Sequence, residues 1–123
     1  MASWAVTDTA REARLNEQVL CLVSDLSDPG TKGPFRIGSV DVFVVRQGDA
    51  IRAWENSCPH AFAPLEMEPD RFLDLTGTYV LCTLHGAHFD PLDGRCAMGP
   101  CKGRHLTAYP IRIDHGKIIA GAR

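Results

Sequence analysis

Cys58-Pro59-His60-Ala61-Phe62-Ala63-Pro64-Leu65 and Cys82-Thr83-Leu84-His85-Gly86-Ala87-His88-Phe89-Asp90-Pro91-Leu92-Asp93-Gly94 decide how this chain is read, with 21 residues between His60 and Cys82. Each stretch contributes one thiol and one imidazole, first as C-x-H and then as C-x-x-H, in loops rich in glycine and proline. Two such pairs make four ligands. On ligand identity alone they suit a tetrahedral structural zinc, or a two-iron cluster in which two cysteines hold one iron and two histidines the other.

Formal charge explains what the mixed set achieves. Two ferric ions, two sulfides and two thiolates leave the oxidised centre neutral, whereas four thiolates would leave it doubly negative. The neutral centre accepts an electron more readily, which places the potentials of such mixed-ligand centres at roughly −150 to +300 mV against about −400 mV for plant-type all-cysteine clusters. Colour separates the two readings, because an iron–sulfur protein is red-brown and a zinc site is colourless.

CPHAFAPL at 58–65, CTLHGAHFDPLDG at 82–94 and the later Gly99-Pro100 pair together resemble the Rieske ferredoxins of bacterial ring-hydroxylating oxygenase systems. The resemblance covers roughly residues 19–120 and lowers the zinc reading. It implies one [2Fe–2S] cluster, with Cys58 and Cys82 on the buried iron and His60 and His85 on the outer iron near solvent. Gly86 and neighbouring backbone amides would face the sulfurs, and Pro100 would cover the cluster from a third loop. The implied function is a one-electron shuttle from a reductase to a terminal oxygenase, with no substrate transformed on this chain.

The respiratory Rieske type adds a disulfide-forming cysteine to each ligand loop, where this chain has Ala63 and Leu84. It also places serine and tyrosine hydroxyls near the cluster, where this chain has Ala87 and Phe89. Fewer donors to sulfur imply a potential toward the negative end of the window, about −150 mV. Two departures from the ferredoxin pattern are Phe62, where relatives commonly have glycine, and a long gap between the ligand pairs running through EPDRFLDLTG at 68–77.

Working outward, the flanks read as short strands. Val19–Val23, Phe35–Ile37, Val40–Arg46 and Ile51–Glu55 alternate with turn chemistry at Asp28-Pro29-Gly30, Gly33-Pro34 and Gln47-Gly48-Asp49, which predicts an antiparallel meander. Thr78–Cys82, His88–Asp90, Leu106–Ile113 and Lys117–Ala120 follow, the last two as a hairpin about Asp114-His115-Gly116. Leu65–Leu75 contains a helical turn interrupted by Pro69. The expected fold is all-β: a Rieske domain over 19–123, with a sandwich-like antiparallel base and a small cluster-binding subdomain at about 57–101. Residues 1–18 read as a peripheral extension, disordered or a frayed turn.

A chain of 123 residues holds one modest core and no second catalytic domain. The 38 residues after His85 cannot supply a further 2-His-1-carboxylate iron site. Net charge is −2 with scattered basic residues, which argues against nucleic acid. No apolar run approaches the roughly 20 residues of a membrane span, and the N-terminus carries no signal-peptide pattern. The expected protein is a cytoplasmic monomer.

Other readings stay open at this point: a small subunit of an assimilatory nitrite reductase, a Rieske redox or iron–sulfur sensor, and a zinc-stabilised binding module. Cys21, in VLCLV, reads as a core residue. Cys96 and Cys101 flank Gly99-Pro100 and read as ordinary packing, since disulfides are uncommon in reducing cytosol. His105 and His115 read as surface histidines, and His88 is near enough in sequence to tune the site. Trp4, Phe43, Trp54 and Tyr109 read as packing residues. Glu66, Glu68, Asp70 and Asp74 read as a solvated face.

Overall fold

The computed structural model describes residues 17–59, 63–66, 68–83, 86–101 and 103–121. Among the described residues are nine strands: β1 (Gln18–Leu22), β2 (Gly30–Ile37), β3 (Val40–Gln47), β4 (Ala50–Glu55), β5 (Val80–Cys82), β6 (Ala87–Phe89), β7 (Cys96–Met98), β8 (Ile111–Asp114) and β9 (Lys117–Ala120). A single 3₁₀ turn at Val23–Asp25 is the one helical element among them. The strands form three antiparallel three-stranded sheets, ordered β1-β9-β8, β2-β3-β4 and β5-β6-β7. The all-β expectation holds.

The middle sheet owes its position to β3. Val42, Phe43, Val44 and Val45 are all fully buried, which a one-faced strand cannot achieve because successive side chains point to opposite faces. Val42 and Val44 join Leu20, Ala53, Tyr109 and Ile118 in one core. Phe43 and Val45 join Trp54, Phe72, Phe89 and Leu106 in the other. The strand is therefore the shared wall of two cores, and the second core contains the candidate ligands Cys58 and Cys82. Phe43 stacks on Phe72 with ring centroids 4.2 Å apart and planes 8° off parallel. Burying each ring contributes roughly 1.5–3 kcal/mol, so this pair anchors the long inter-ligand segment to the base.

Several local expectations give way to tertiary pairing. β1 is not part of the meander; it pairs with β9 through Gln18↔Ala120 and Leu22↔Lys117. Gly33-Pro34 is not a turn but an irregularity inside β2, where pairing shifts between Lys32 and Phe35. Proline lacks the N–H a ladder needs, and a bulge accommodates that loss. The run Leu106–Ile113 is strand only from Ile111; before it, single bridges join Ala108 to Trp54 and His105 to Arg95. β7 was unforeseen, because Cys96-Ala97-Met98 is short and carries no alternating pattern. The β8–β9 hairpin forms as expected, with His115 and Gly116 at φ 49° and 75° as its two-residue turn.

The segment expected to hold a helical turn folds as a chain of bridges and turns, Glu68↔Arg71 and then Leu73↔Val80. Its acids are a solvated face only in part, since Glu68 and Asp70 are exposed whereas Glu66 and Asp74 are partly buried. Asp70 Oδ1 accepts the Gly33 amide at 2.9 Å, Glu66 accepts the Asn56 side-chain amide at 2.9 Å, and Glu68 pairs with Arg71 at 2.8 Å. At the other end, Glu17 and Gln18 are tied to the body, Glu17 by a 2.9 Å pair with Arg112. Trp4 lies outside the described residues.

Candidate metal centre

Three loops meet beside the second core. The first follows β4, whose exit is fixed by Glu55 N–H donating to Thr107 and Asn56 N–H donating to Asp41. Asn56 is the buried polar residue of this region, 8% exposed. Its Oδ1 accepts the Leu65 amide at 2.9 Å, so one side chain clamps both ends of the loop. Inside it, the Cys58 amide donates to Ala63 O at 2.8 Å. Cys58 is 1% exposed.

The second loop is the turn between β5 and β6. Cys82 ends β5, fully buried, and pairs directly with Ala87 of β6. Gly86 closes the turn by donating its amide to Cys82 O at 2.9 Å. It does so at φ 72°, a left-handed conformation that favours glycine. The amide and hydroxyl of Thr83 both donate to Leu65 O, at 3.4 and 3.3 Å, which joins this loop to the first.

The third loop follows β7. Gly99 stands at φ 106° and packs so tightly on β6 that an added Cβ would lie 2.7 Å from Ala87 Cα. Arg104 reaches back to the first loop, its guanidinium donating to Pro59 O at 3.0 Å. Pro100 is exposed at the loop's tip. Below it, Trp54 is held by an indole N–H bond to Pro91 O of 3.0 Å, and Gly94 lies against the Trp54 ring.

Cys58, Cys82, Cys96 and Cys101 thus share one apolar core. Two buried thiols delivered by two linked loops fit the thiolate half of the four-ligand set. The imidazole half, His60 and His85, lies outside the described residues, as do Phe62 and Leu84. Among the described residues no group of three or more metal-binding side chains converges. Ala87 and Phe89, at the positions where hydroxyl-bearing residues would tune sulfur, are fully buried and carry no donor.

His88 has a definite role that the sequence only suggested. Its Nδ1 lies 2.8 Å from Gly86 O. A carbonyl only accepts, so Nδ1 carries the proton and Nε2 faces Asp74 at 3.8 Å. Tyr79 packs edge-on against the ring at 5.8 Å. Asp74 in turn organises the 74–79 turn, accepting from Thr76 Oγ1 at 2.8 Å and from the amides of Thr78 and Tyr79.

Desolvation alone would raise the Asp74 carboxyl, but the bonds from Thr76, Tyr79 and Thr78, with the nearness of His88, outweigh it and hold the group below its ordinary 3.8. A depressed carboxylate stabilises the fold above its unfolded pKa, and that contribution is lost as pH falls through the folded pKa. Asp74→Ala therefore lowers unfolding free energy by about 1.5–3 kcal/mol at pH 7, read from urea denaturation. The gap between wild type and variant should narrow once the pH drops below the ordinary 3.8.

Asn56, Thr83 and Arg104 were not foreseen as loop ties, and only the first had a usable signal: a lone amide between a strand and a candidate ligand. The Cys21 thiol is pushed up to about 11 by burial, then by the nearby Asp25, in keeping with its reading as an inert core residue.

Comparison with known proteins matches the same region. The family model of the Rieske [2Fe-2S] domain matches residues 16–110. Ferredoxin CarAc of Metapseudomonas resinovorans is 30% identical over 106 residues, covering 85% of this chain and 92% of the relative. The ferredoxin of carbazole 1,9a-dioxygenase from Nocardioides aromaticivorans IC177 superposes with a TM-score of 0.70 at 28% identity, over 88% of this chain and 99% of that one. A chain from the complex of reduced oxygenase and oxidised ferredoxin in carbazole 1,9a-dioxygenase superposes with a TM-score of 0.71 at 26% identity, over 88% and 94%.

Proposed function

The chain belongs to the Rieske [2Fe-2S] domain family, and from that premise we propose that it is a one-electron carrier between a reductase and the terminal oxygenase of a ring-hydroxylating system. The observation that carries this reading is the burial of Cys58 and Cys82 in one core, at the roots of two loops bonded to each other through Thr83 and Leu65.

In this reading Cys58, Cys82, His60 and His85 would hold the cluster, Gly86 would present backbone to it, Pro100 would shield it, and residues 57–101 would form the cluster-binding subdomain. When bound, the [2Fe–2S] group supplies a one-electron couple. The chain's own residues provide a frame that resists rearrangement: Asn56 clamps the first loop, His88 fixes the Gly86 carbonyl, and Arg104 ties the third loop to the first. No substrate is transformed on this chain, which acts as a monomer in the cytoplasm. Among the described residues no helix is long and apolar enough to cross a membrane.

The test is electron delivery. Chemically reduced protein mixed anaerobically with an oxidised ring-hydroxylating oxygenase should return to its oxidised spectrum as the oxygenase cluster is reduced. A colourless, zinc-loaded protein from iron-replete cells would sink the proposal. Because Ala87 and Phe89 offer no hydroxyl, protein-film voltammetry should give a midpoint of about −150 mV. A value above about +100 mV would contradict the low-potential assignment.

A further inference from the structure

Cys96 and Cys101 are read from sequence as packing residues, yet their environment is unlike that of Cys21. Cys21 sits in the other core, whereas the Cys101 and Cys96 sulfurs lie 2.6 Å apart. That separation is little more than the about 2.05 Å of a sulfur–sulfur bond.

The backbone holds the two residues together independently of the sulfurs. Cys96 N–H donates to Arg104 O and Arg104 N–H donates to Cys101 O, each at 2.8 Å. Gly99, at φ 106°, reverses the chain between them. Closing a bond between the sulfurs therefore needs no refolding of the loop.

Both thiols are buried, 2% and 1% exposed, but the cover is thin. Met98, Gly99, Pro100 and Gly103 above them are exposed, so opening of this one loop gives a reagent access. Because both thiols are buried, exchange waits on that opening and is slow.

We propose that Cys96 and Cys101 form a redox-active dithiol that closes to a disulfide with a small-molecule disulfide such as oxidised glutathione, and that closure pins the third loop over the candidate metal centre. The reaction balances as two exchanges. One cysteine thiolate displaces a glutathione thiolate to give a mixed disulfide, and the second cysteine then displaces the other glutathione. The protein loses two electrons and two protons, and one oxidised glutathione becomes two reduced molecules. The pairing does not depend on which residues hold the cluster.

The experiment treats the iron-loaded protein anaerobically with oxidised glutathione, alkylates it under denaturing conditions and digests it with trypsin. Both cysteines fall in one peptide, Cys96–Lys102. The expected result is that peptide unalkylated and lighter by two hydrogens, reverting to the doubly alkylated form after dithiothreitol. A peptide doubly alkylated despite the oxidant, or carrying only a glutathione adduct, overturns the proposal. Iron release to a chelator should slow several-fold after oxidation in wild type and not respond in Cys101→Ser. An equal release rate in oxidised and reduced wild type would overturn the pinning. The peptide result needs no variant, so it stands even if Cys101→Ser fails to fold.

Discussion

Replacing His85 with cysteine is expected to lower the midpoint potential by on the order of 100 mV in any protein that still assembles its cluster. The cause is charge. A thiolate in place of a neutral imidazole adds a full negative charge to the oxidised centre, and adding an electron to a more negative centre costs more. The size follows from about half the gap between roughly −150 mV at the low end of the mixed-ligand window and about −400 mV for all-cysteine clusters, because that gap spans two thiolates and this change adds one. Voltammetry on the purified variant reads it directly. An unchanged potential in a red-brown variant would mean that His85 is no ligand, while the Rieske family assignment would stand.

The second large effect falls on a residue with no side chain. Gly99→Val should cost about 2–6 kcal/mol of folding free energy, a large share of the about 5–15 kcal/mol of a small domain of ordinary stability, and should sharply lower recovery of native protein. Two effects add. The φ of 106° is one that side chains rarely adopt, worth about 1–3 kcal/mol. The new Cβ would then meet Ala87 Cα at 2.7 Å, and backbone cannot rotate away as a flexible side chain would. Ala87 follows Gly86 in the second ligand loop, so surviving protein should lose iron faster than wild type. Gly38→Ala is the control, because that glycine has open space at its Cβ and a comparable positive φ of 61°. Similar behaviour of the two variants would show that close packing on Ala87 contributes little.

The family of this molecule was more legible than its pairing. The residue types and spacing from Cys58 to Gly94 carried the Rieske resemblance that the family match bears out, because metal chemistry restricts which side chains serve and how closely they must follow one another. The β2-β3-β4 meander and the β8–β9 hairpin were legible because their partners are near in sequence and joined by recognisable turns. β1–β9 and β7 were not. Their partners are set by burial at long range, and neither Gln18–Leu22 nor Cys96–Met98 carries a local mark naming its neighbour. β3 shows the limit from the other side: four consecutive buried residues, Val42 to Val45, say that both faces are covered but not by what. Among the acids of the long inter-ligand segment, Glu68 and Asp70 are exposed as expected, but Asp74 is largely covered, and nothing local marks it as the residue whose carboxylate caps the 74–79 turn.

The pairing of β1 with β9 also sets a schedule for how the protein comes into being. Gln18 meets Ala120 across about a hundred residues, and closing so large a loop carries an entropic cost that favours late formation. The meander and the two ligand turns rest on near neighbours and need not wait. A nascent chain can therefore shape the candidate metal centre while Leu20 and Cys21, partners of Ile118 in the other core, are still uncovered. Shaping of the ligand-bearing loops and closure of β1 on β9 are thereby separable, with β9 as the latch of the other core.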